Sequence, residues 1–482
     1  MRSFILSRVG VALLGTITLA GFATPNQQLY AQGDTKTAEK KNEDVDKAEK
    51  AFNKGQFDEC LKFLQDAEKK DPKIAPARLN LARFFLTVLR SNQIDQNARL
   101  QVFQMARTNL ERAVIENPNH PECYLEIASI ALSEFRFTET ILACQTALTL
   151  AKSDKWSSDQ KKIFEKEANA GLATAFDDRG DWESAKTHYL AWKILDPKSA
   201  PLMQRLAKVY FNLNKADEAF VELTQAKAED PTLDPPEVAM GLLWANKPNK
   251  AKAEEWFQKA ITKNPKLARV HQAYGGWLLD TGNLAAAKIS INQAKTLDPM
   301  APETQSLLGL LARYENRLDE AEKIFEDLMR SQPANFFASN QLAQVLAEQT
   351  SSPSQQQRAL QIAGVNKDRL SRNPEAWSTL GWVLLKVGKE SDAEQALNTS
   401  ITLSNKQVAP DTAYFIASVL KKKDEKKFSD EIRKYLEGAI AAESAFIHRA
   451  DAVRMLTDLN SRYPKKEEPK DSKKEPEGEK KK

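Results

Sequence analysis

Apolar and polar residues alternate at helical spacing along most of the chain. Residues 168–197, ANAGLATAFDDRGDWESAKTHYLAWKILDP, show the pattern. Leu172 and Phe176 lie one turn apart, and Gly180 interrupts the run. Tyr189 belongs to a second run that ends at Pro197. Such spacing predicts two helices, each with one apolar stripe, joined by a short turn. Pro lacks the N–H that would continue a helix, so Pro197 separates this pair from the next. The prolines recur: Pro197, Pro231, Pro265, Pro299 and Pro333 are each 34 residues apart, and Pro72, Pro118 and Pro374 extend the series across insertions.

Aligning the units on these prolines exposes columns of small residues. Position 8 of each unit is Ala48, Ala82, Ala128, Ala173, Ala207, Gly241, Gly275, Gly309, Ala343 and Gly381. Position 20 holds Cys60, Ala106, Thr140, Ala185, Ala219, Ala253, Ala287, Ala321 and Ala393. Position 27 holds Ala67, Ala113, Ala147, Ala226, Ala260 and Ala294, with Trp192 and Leu328 as exceptions. Two helices pack at an axial distance of about 8–10 Å, and small side chains at the crossing permit it. Larger residues such as Leu206, Tyr210 and Leu223 fill the flanks.

A 34-residue unit with these columns resembles the tetratricopeptide repeat (TPR). The stretch 376–397 carries that signature in Trp377, Leu380, Gly381, Gly388 and Ala393, with Trp377 expected as the core aromatic of its unit. The resemblance covers roughly residues 41–441 and implies an all-α, right-handed superhelical solenoid of about ten to eleven antiparallel helix pairs. It departs from the pattern at 90–98, 151–161 and 348–357, where turns lengthen. The second helix of the ninth unit has no clear register. Beyond Asn405 the match weakens. Residues 442–460 are expected to form a capping helix, which a solenoid needs at its end.

The chain ends add localisation. Arg2 and Arg8 precede an uncharged run from Val9 to Ala23, and small-residue cleavage sites follow at Ala23 and Ala31. This is a secretory signal pattern over 1–31, too short for a spanning helix. Export to the periplasm, cell envelope or medium is the expectation, with no membrane span after cleavage. Residues 32–42 read as a flexible linker. The Lys/Glu/Pro-rich 461–482 cannot bury enough apolar surface to order itself.

Composition narrows the function classes. The 482 residues carry 70 basic and 66 acidic side chains, a formal net charge of +4. That balance gives no footprint for nucleic acid. Cys60, Cys123 and Cys144 make no disulfide framework, although a Cys123–Cys144 bridge stays open. His120, His188, His271 and His448 fall in different units without metal-ligand spacing. No nucleophile elbow or phosphate loop occurs, and pairs such as Asp177 and Asp178 are expected on solvated helix ends. No catalytic residue, cofactor or metal site is expected.

What remains is binding. In TPR proteins the first helix of each pair lines a concave face, mainly at positions 2, 5, 9 and 12. Carried onto this sequence, the resemblance implies a partner-binding groove that includes Arg205, Lys208, Phe211, Leu242, Gly276, Leu279, Leu310, Arg313, Tyr314, Gln344 and Trp382. Packing between neighbouring repeats is the competing role for Leu242, Leu310 and Trp382. The residue trio by which some TPR proteins clamp a chaperone's C-terminal carboxylate is not matched. The expected function is a non-catalytic scaffold that binds a protein partner or extended peptide. An envelope spacer associated with cell-wall polysaccharide is the alternative.

Overall fold

A computed structural model describes residues 42–71, 74–90, 96–349 and 352–464. The expected signal segment, nearly all of the linker and the charged tail beyond Pro464 lie outside the described residues.

The described residues form 23 α-helices and no strand. They fall into two compact units, divided between Leu243 and Trp244. The first contains α1 (Glu43–Asn53), α2 (Phe57–Lys70), α3 (Ala77–Arg90), α4 (Gln96–Glu116), α5 (Pro121–Ser133) and α6 (Phe137–Ala151). It continues with α7 (Ser158–Arg179), α8 (Trp182–Leu195), α9 (Ala200–Asn212), α10 (Ala216–Glu229) and most of α11 (Pro236–Ala245). The second contains α12 (Lys250–Lys263), α13 (Ala268–Asp280), α14 (Leu284–Leu297), α15 (Pro302–Tyr314), α16 (Leu318–Ser331) and α17 (Phe336–Glu348). Its remaining helices are α18 (Pro353–Arg369), α19 (Pro374–Lys386), α20 (Glu390–Leu403), α21 (Pro410–Asp424), α22 (Ser429–Ala441) and α23 (Arg449–Arg462). Within each unit, consecutive helices pack as pairs, α7 on α8 and α19 on α20 for example.

The small-residue columns are the contact lines of these pairs. Every position-20 residue, from Cys60 to Ala393, is fully buried. At position 8, a Cβ added to Gly381 would stand 2.5 Å from Leu397 Cγ, and one added to Gly309 would stand 2.5 Å from Phe325 Cζ. Such approaches leave no room for even a methyl group. The structure also supplies the register that the ninth unit lacked. Ala359 is fully buried where position 20 falls. Asn366 lies seven residues on and accepts a hydrogen bond from Ser339 Oγ at 2.9 Å. Polar Asn366 at an alanine position, behind a longer turn, explains why pattern alone missed it. A further pair, α21 with α22, extends the position-8 column with fully buried Ala417.

Helix ends follow local chemistry. Seven residues after position 8, the chain enters the left-handed region at Gly55, Gly180, Gly282 and Gly388. Asn214, Asn316 and Phe135 take the same place in other pairs. A left-handed residue lets the turn close on the first helix: Gly180 N–H donates to Asp177 O and Asp181 N–H to Phe176 O, both at 2.9 Å. Asp181, Asn249 and Asn283 then cap the second helices through their side chains. Pro374 does a different job from the other prolines of its series, opening α19 in its first turn.

The C-terminal region departs from expectation. The helix begins at Arg449 and not at 442, and it runs on to Arg462. Fully buried Ala452 and Leu459 anchor it to the cluster around Phe415, Ile432 and Leu436. Residues 442–448 are non-helical and turn inward, with Phe446 and His448 buried.

Candidate functional site

The expected groove residues lie on first helices, and most of their polar groups are committed to a neighbouring repeat. In the first unit, Arg205 and Lys208 project from α9 toward Asp177 of α7, at 3.7 and 3.2 Å. Tyr189 donates its hydroxyl to the same carboxylate at 3.3 Å. Asp177 is therefore buried, at 1 % exposure, and not on a solvated helix end as the sequence implied. Lys208, 31 residues on, and Arg205 of the same helix cover it. Its neighbour Asp178 has its carboxyl raised above the ordinary range by burial and by the Asp177 charge. Phe211 and Leu242 are buried, and Lys208 is exposed.

A second polar cluster spans α3, α5 and α7. Arg83 donates to Glu122 and Glu126, both at 2.9 Å, and Glu126 Oε2 is buried without a partner. Burial pushes the Glu167 carboxyl up to about 7, helped by Glu126 and Glu122 and opposed by Arg83.

In the second unit the same logic gives a ladder between first helices. Gln272 donates to Thr304 Oγ1 at 2.8 Å, and Gln344 to Thr379 Oγ1 at 2.7 Å. Arg313 donates to Gln341, Gln344 and Glu348. Its side chain is fully covered. Leu279, Leu310 and Gly276 are buried, while Tyr314 and Gln344 are half-buried.

Trp382 is the centre of this site. It is 2 % exposed, and it donates Nε1–H to Glu348 Oε1 at 3.0 Å. Phe415 stacks on it at 4.3 Å between centroids, and Lys386 Nζ stands 4.3 Å from its ring centroid. The deeper aromatic of this unit is thus Trp382. Trp377 is only half-buried and donates to Ser371 O at 2.7 Å. Burial holds the Lys386 ammonium below its ordinary pKa despite the Glu348 charge. Burial alone would raise the Glu348 carboxyl. The Arg313 charge, His448 and Trp382 together outweigh it and hold that carboxyl down at about 2.

The inward-turning segment 442–448 closes over these residues. Ala445 N–H donates to Asp280 O at 2.7 Å, and Ala445 Cβ faces Gly282. His448 stacks on Tyr414 at 4.9 Å and lies 5.2 Å from Trp382 and 5.6 Å from Phe415. Its Nε2 stands 3.2 Å from Glu348 Oε1. A partner reaches Trp382 from this side only by moving His448.

Sequence reasoning missed Glu348, Tyr414, Phe415, Phe446 and His448 as members of one site. A faint signal exists, since Arg313, Glu348 and Trp382 are spaced by 35 and 34 residues. The other histidines are local. His188 stacks on Phe176 and meets Asn169 Oδ1 at 2.9 Å; His271 Nε2 meets Pro265 O at 2.9 Å; His120 packs edge-on against Trp156. Cys60, Cys123 and Cys144 are buried free thiols, so no bridge joins the last two. Burial pushes Cys60 up to about 11 and the other two to about 12. Among the described residues, no group of His, Cys, Asp and Glu is arranged to hold a metal ion. No described helix is long and apolar enough to cross a membrane.

Among the described residues, each of the two units is an all-α array of TPR-type helix pairs, packed along columns of small residues. No protein-family model matches the chain, and no curated protein matches it. Solved structures that match the chain include yeast Tom70, at 14% identity over 87% of this chain and 95% of that one, with a TM-score of 0.34. A tetratricopeptide repeat protein from Parabacteroides merdae is 14% identical over 53% of this chain and 99% of that one, with a TM-score of 0.36. A thermophilic TPR protein from Thermus thermophilus is 17% identical over 41% of this chain and 97% of that one, with a TM-score of 0.33.

Proposed function

We propose that this protein is a non-catalytic scaffold that binds protein partners through the first-helix faces of its repeats. The observation that carries the reading is that first-helix ends of residues 244–464 already hold a non-helical segment, 442–448, by a backbone hydrogen bond and two buried side chains. A surface that holds one such segment has the shape and the backbone acceptor to hold another. The basic, then apolar, then small-residue pattern of residues 1–31 supports export to the envelope or periplasm.

Affinity capture from native extract tests the scaffold role. The full chain is expected to retain a defined partner, and a Lys208→Glu or Trp382→Ala chain to retain less of it. Capture no greater than a bead control would sink the reading. Equal capture by all three chains would remove the assignment to these faces. Cell fractionation checks export, which fails if the protein stays with cytoplasmic markers.

A further inference from the structure

Residues 442–448 act as a strap across the ends of α13 and α17 and the flanking aromatic residues of α19 and α21. Their hold on the array is narrow. One backbone hydrogen bond reaches Asp280, Phe446 is buried to 4 % exposure, and His448 enters the aromatic site. The outer ion pair, Glu443 with Lys250, is long at 3.9 Å and exposed. Much of the strap's shape comes from its own neighbour. Arg449 donates to the carbonyls of Ile440, Ala442 and Ser444 at 2.8, 2.6 and 2.9 Å.

His448 fills its place imperfectly. Its Nε2 is buried and 3.2 Å from Glu348 Oε1, with no other partner. Around it stand the rings of Tyr414, Trp382 and Phe415, with the carboxylates of Glu348 and Asp451 at 3.2 Å from Nε2 and 3.7 Å from Nδ1. Aromatic faces beside a buried carboxylate favour a cation. A guanidinium is planar and permanently charged. It can stack on Tyr414 as the imidazole does and aim an N–H at Glu348.

We propose that the strap is a resident occupant of a peptide site, and that the site's partner is an extended segment carrying an aromatic residue and, two positions on, an arginine. The partner binds by displacing the strap. This rests on the scaffold reading above and names the partner's chemistry.

The probe is a labelled synthetic peptide of residues 442–449 with arginine in place of His448. Hydrogen exchange on the unaltered full chain is the first measurement. Saturating peptide is expected to deprotect the Ala445 amide, which is bonded to Asp280 in the resting chain. Fluorescence titration is the second. A folded Phe446→Ala chain is expected to bind the peptide at least tenfold tighter than wild type. A control peptide with glutamine at the same place is expected to bind at least tenfold weaker than the arginine peptide. Unchanged protection at Ala445 under saturating peptide overturns the proposal, whether or not the variant folds. Equal binding of the arginine and glutamine peptides overturns the cation preference. Partner capture that persists while the strap stays protected defeats this inference and leaves the scaffold reading standing.

Discussion

Arg313 and Glu348 stand 35 residues apart on successive pairs and meet through Nη2 contacts of 3.0 and 3.1 Å to the two carboxylate oxygens. Neither is shielded by water: the Arg313 side chain is 0% exposed and that of Glu348 is 11%. The pair also locates Trp382 and His448, because both converge on the same Glu348 oxygen.

Removing one partner strands the other. Glu348→Gln is expected to cost on the order of 3–5 kcal/mol, the usual penalty for an uncompensated buried charge. Urea denaturation measures it. The Glu348 carboxyl is held down at about 2 from an ordinary 4.5, so its contribution is complete above 4.5 and is lost as pH falls through 2. The stability gap between wild type and Glu348→Gln should therefore narrow across that window. A gap constant from pH 6 to pH 2.5 would contradict the assignment.

Glu167 has the opposite sign. Its carboxyl is raised to about 7, so the folded state prefers the protonated form, and stability falls as pH rises from 4.5 through 7. Glu167→Gln should be nearly neutral at pH 5 and stabilising by about 1–3 kcal/mol at pH 8, allowing for partial solvent access. Thermal melts at the two pH values check it, and a stabilisation independent of pH would refute the cause.

Glycines on helices should divide by contact. Gly381→Ala places a methyl 2.5 Å from Leu397 Cγ and is expected to destabilise by about 1–3 kcal/mol through overpacking. Gly438 and Gly364 are also helical, but an added Cβ meets nothing within 4 Å. Gly438→Ala and Gly364→Ala should stabilise by about 0.4–1 kcal/mol, because alanine restricts the unfolded chain and favours helix. Denaturation midpoints of the three variants decide it.

The buried thiols should be unreactive while the chain is folded. With Cys60 near 11 and Cys123 and Cys144 near 12, almost no thiolate exists at pH 8. Iodoacetamide followed by mass spectrometry should find the three cysteines unmodified in the native protein and alkylated in denaturant. Fast native labelling of Cys144 would contradict its packing beside Gly171.

Much of the fold was legible because the repeat writes the same packing rule many times. Position 20 from Cys60 to Ala393 could be read without coordinates, since a helix crossing tolerates only small residues there. The left-handed turn column was legible at Gly180 and Gly388 but hidden where Asn214, Asn316 and Phe135 replace glycine. Asp177 was misread because its two cations sit on another helix, which an apolar pattern does not report.

The sequence by itself determined the helix pairs, their period and the lines along which they touch, because these are local properties repeated at fixed spacing. Only the tertiary structure decided what the first-helix faces do. Trp382 looked available from its position in the repeat, yet Glu348, Phe415 and His448 reach it from 34, 33 and 66 residues away. The first two contacts keep the repeat period, but His448 arrives because the chain turns inward after α22 and not because of any repeat position. Periodicity records how a repeat meets its neighbour. It does not record where a chain's end returns.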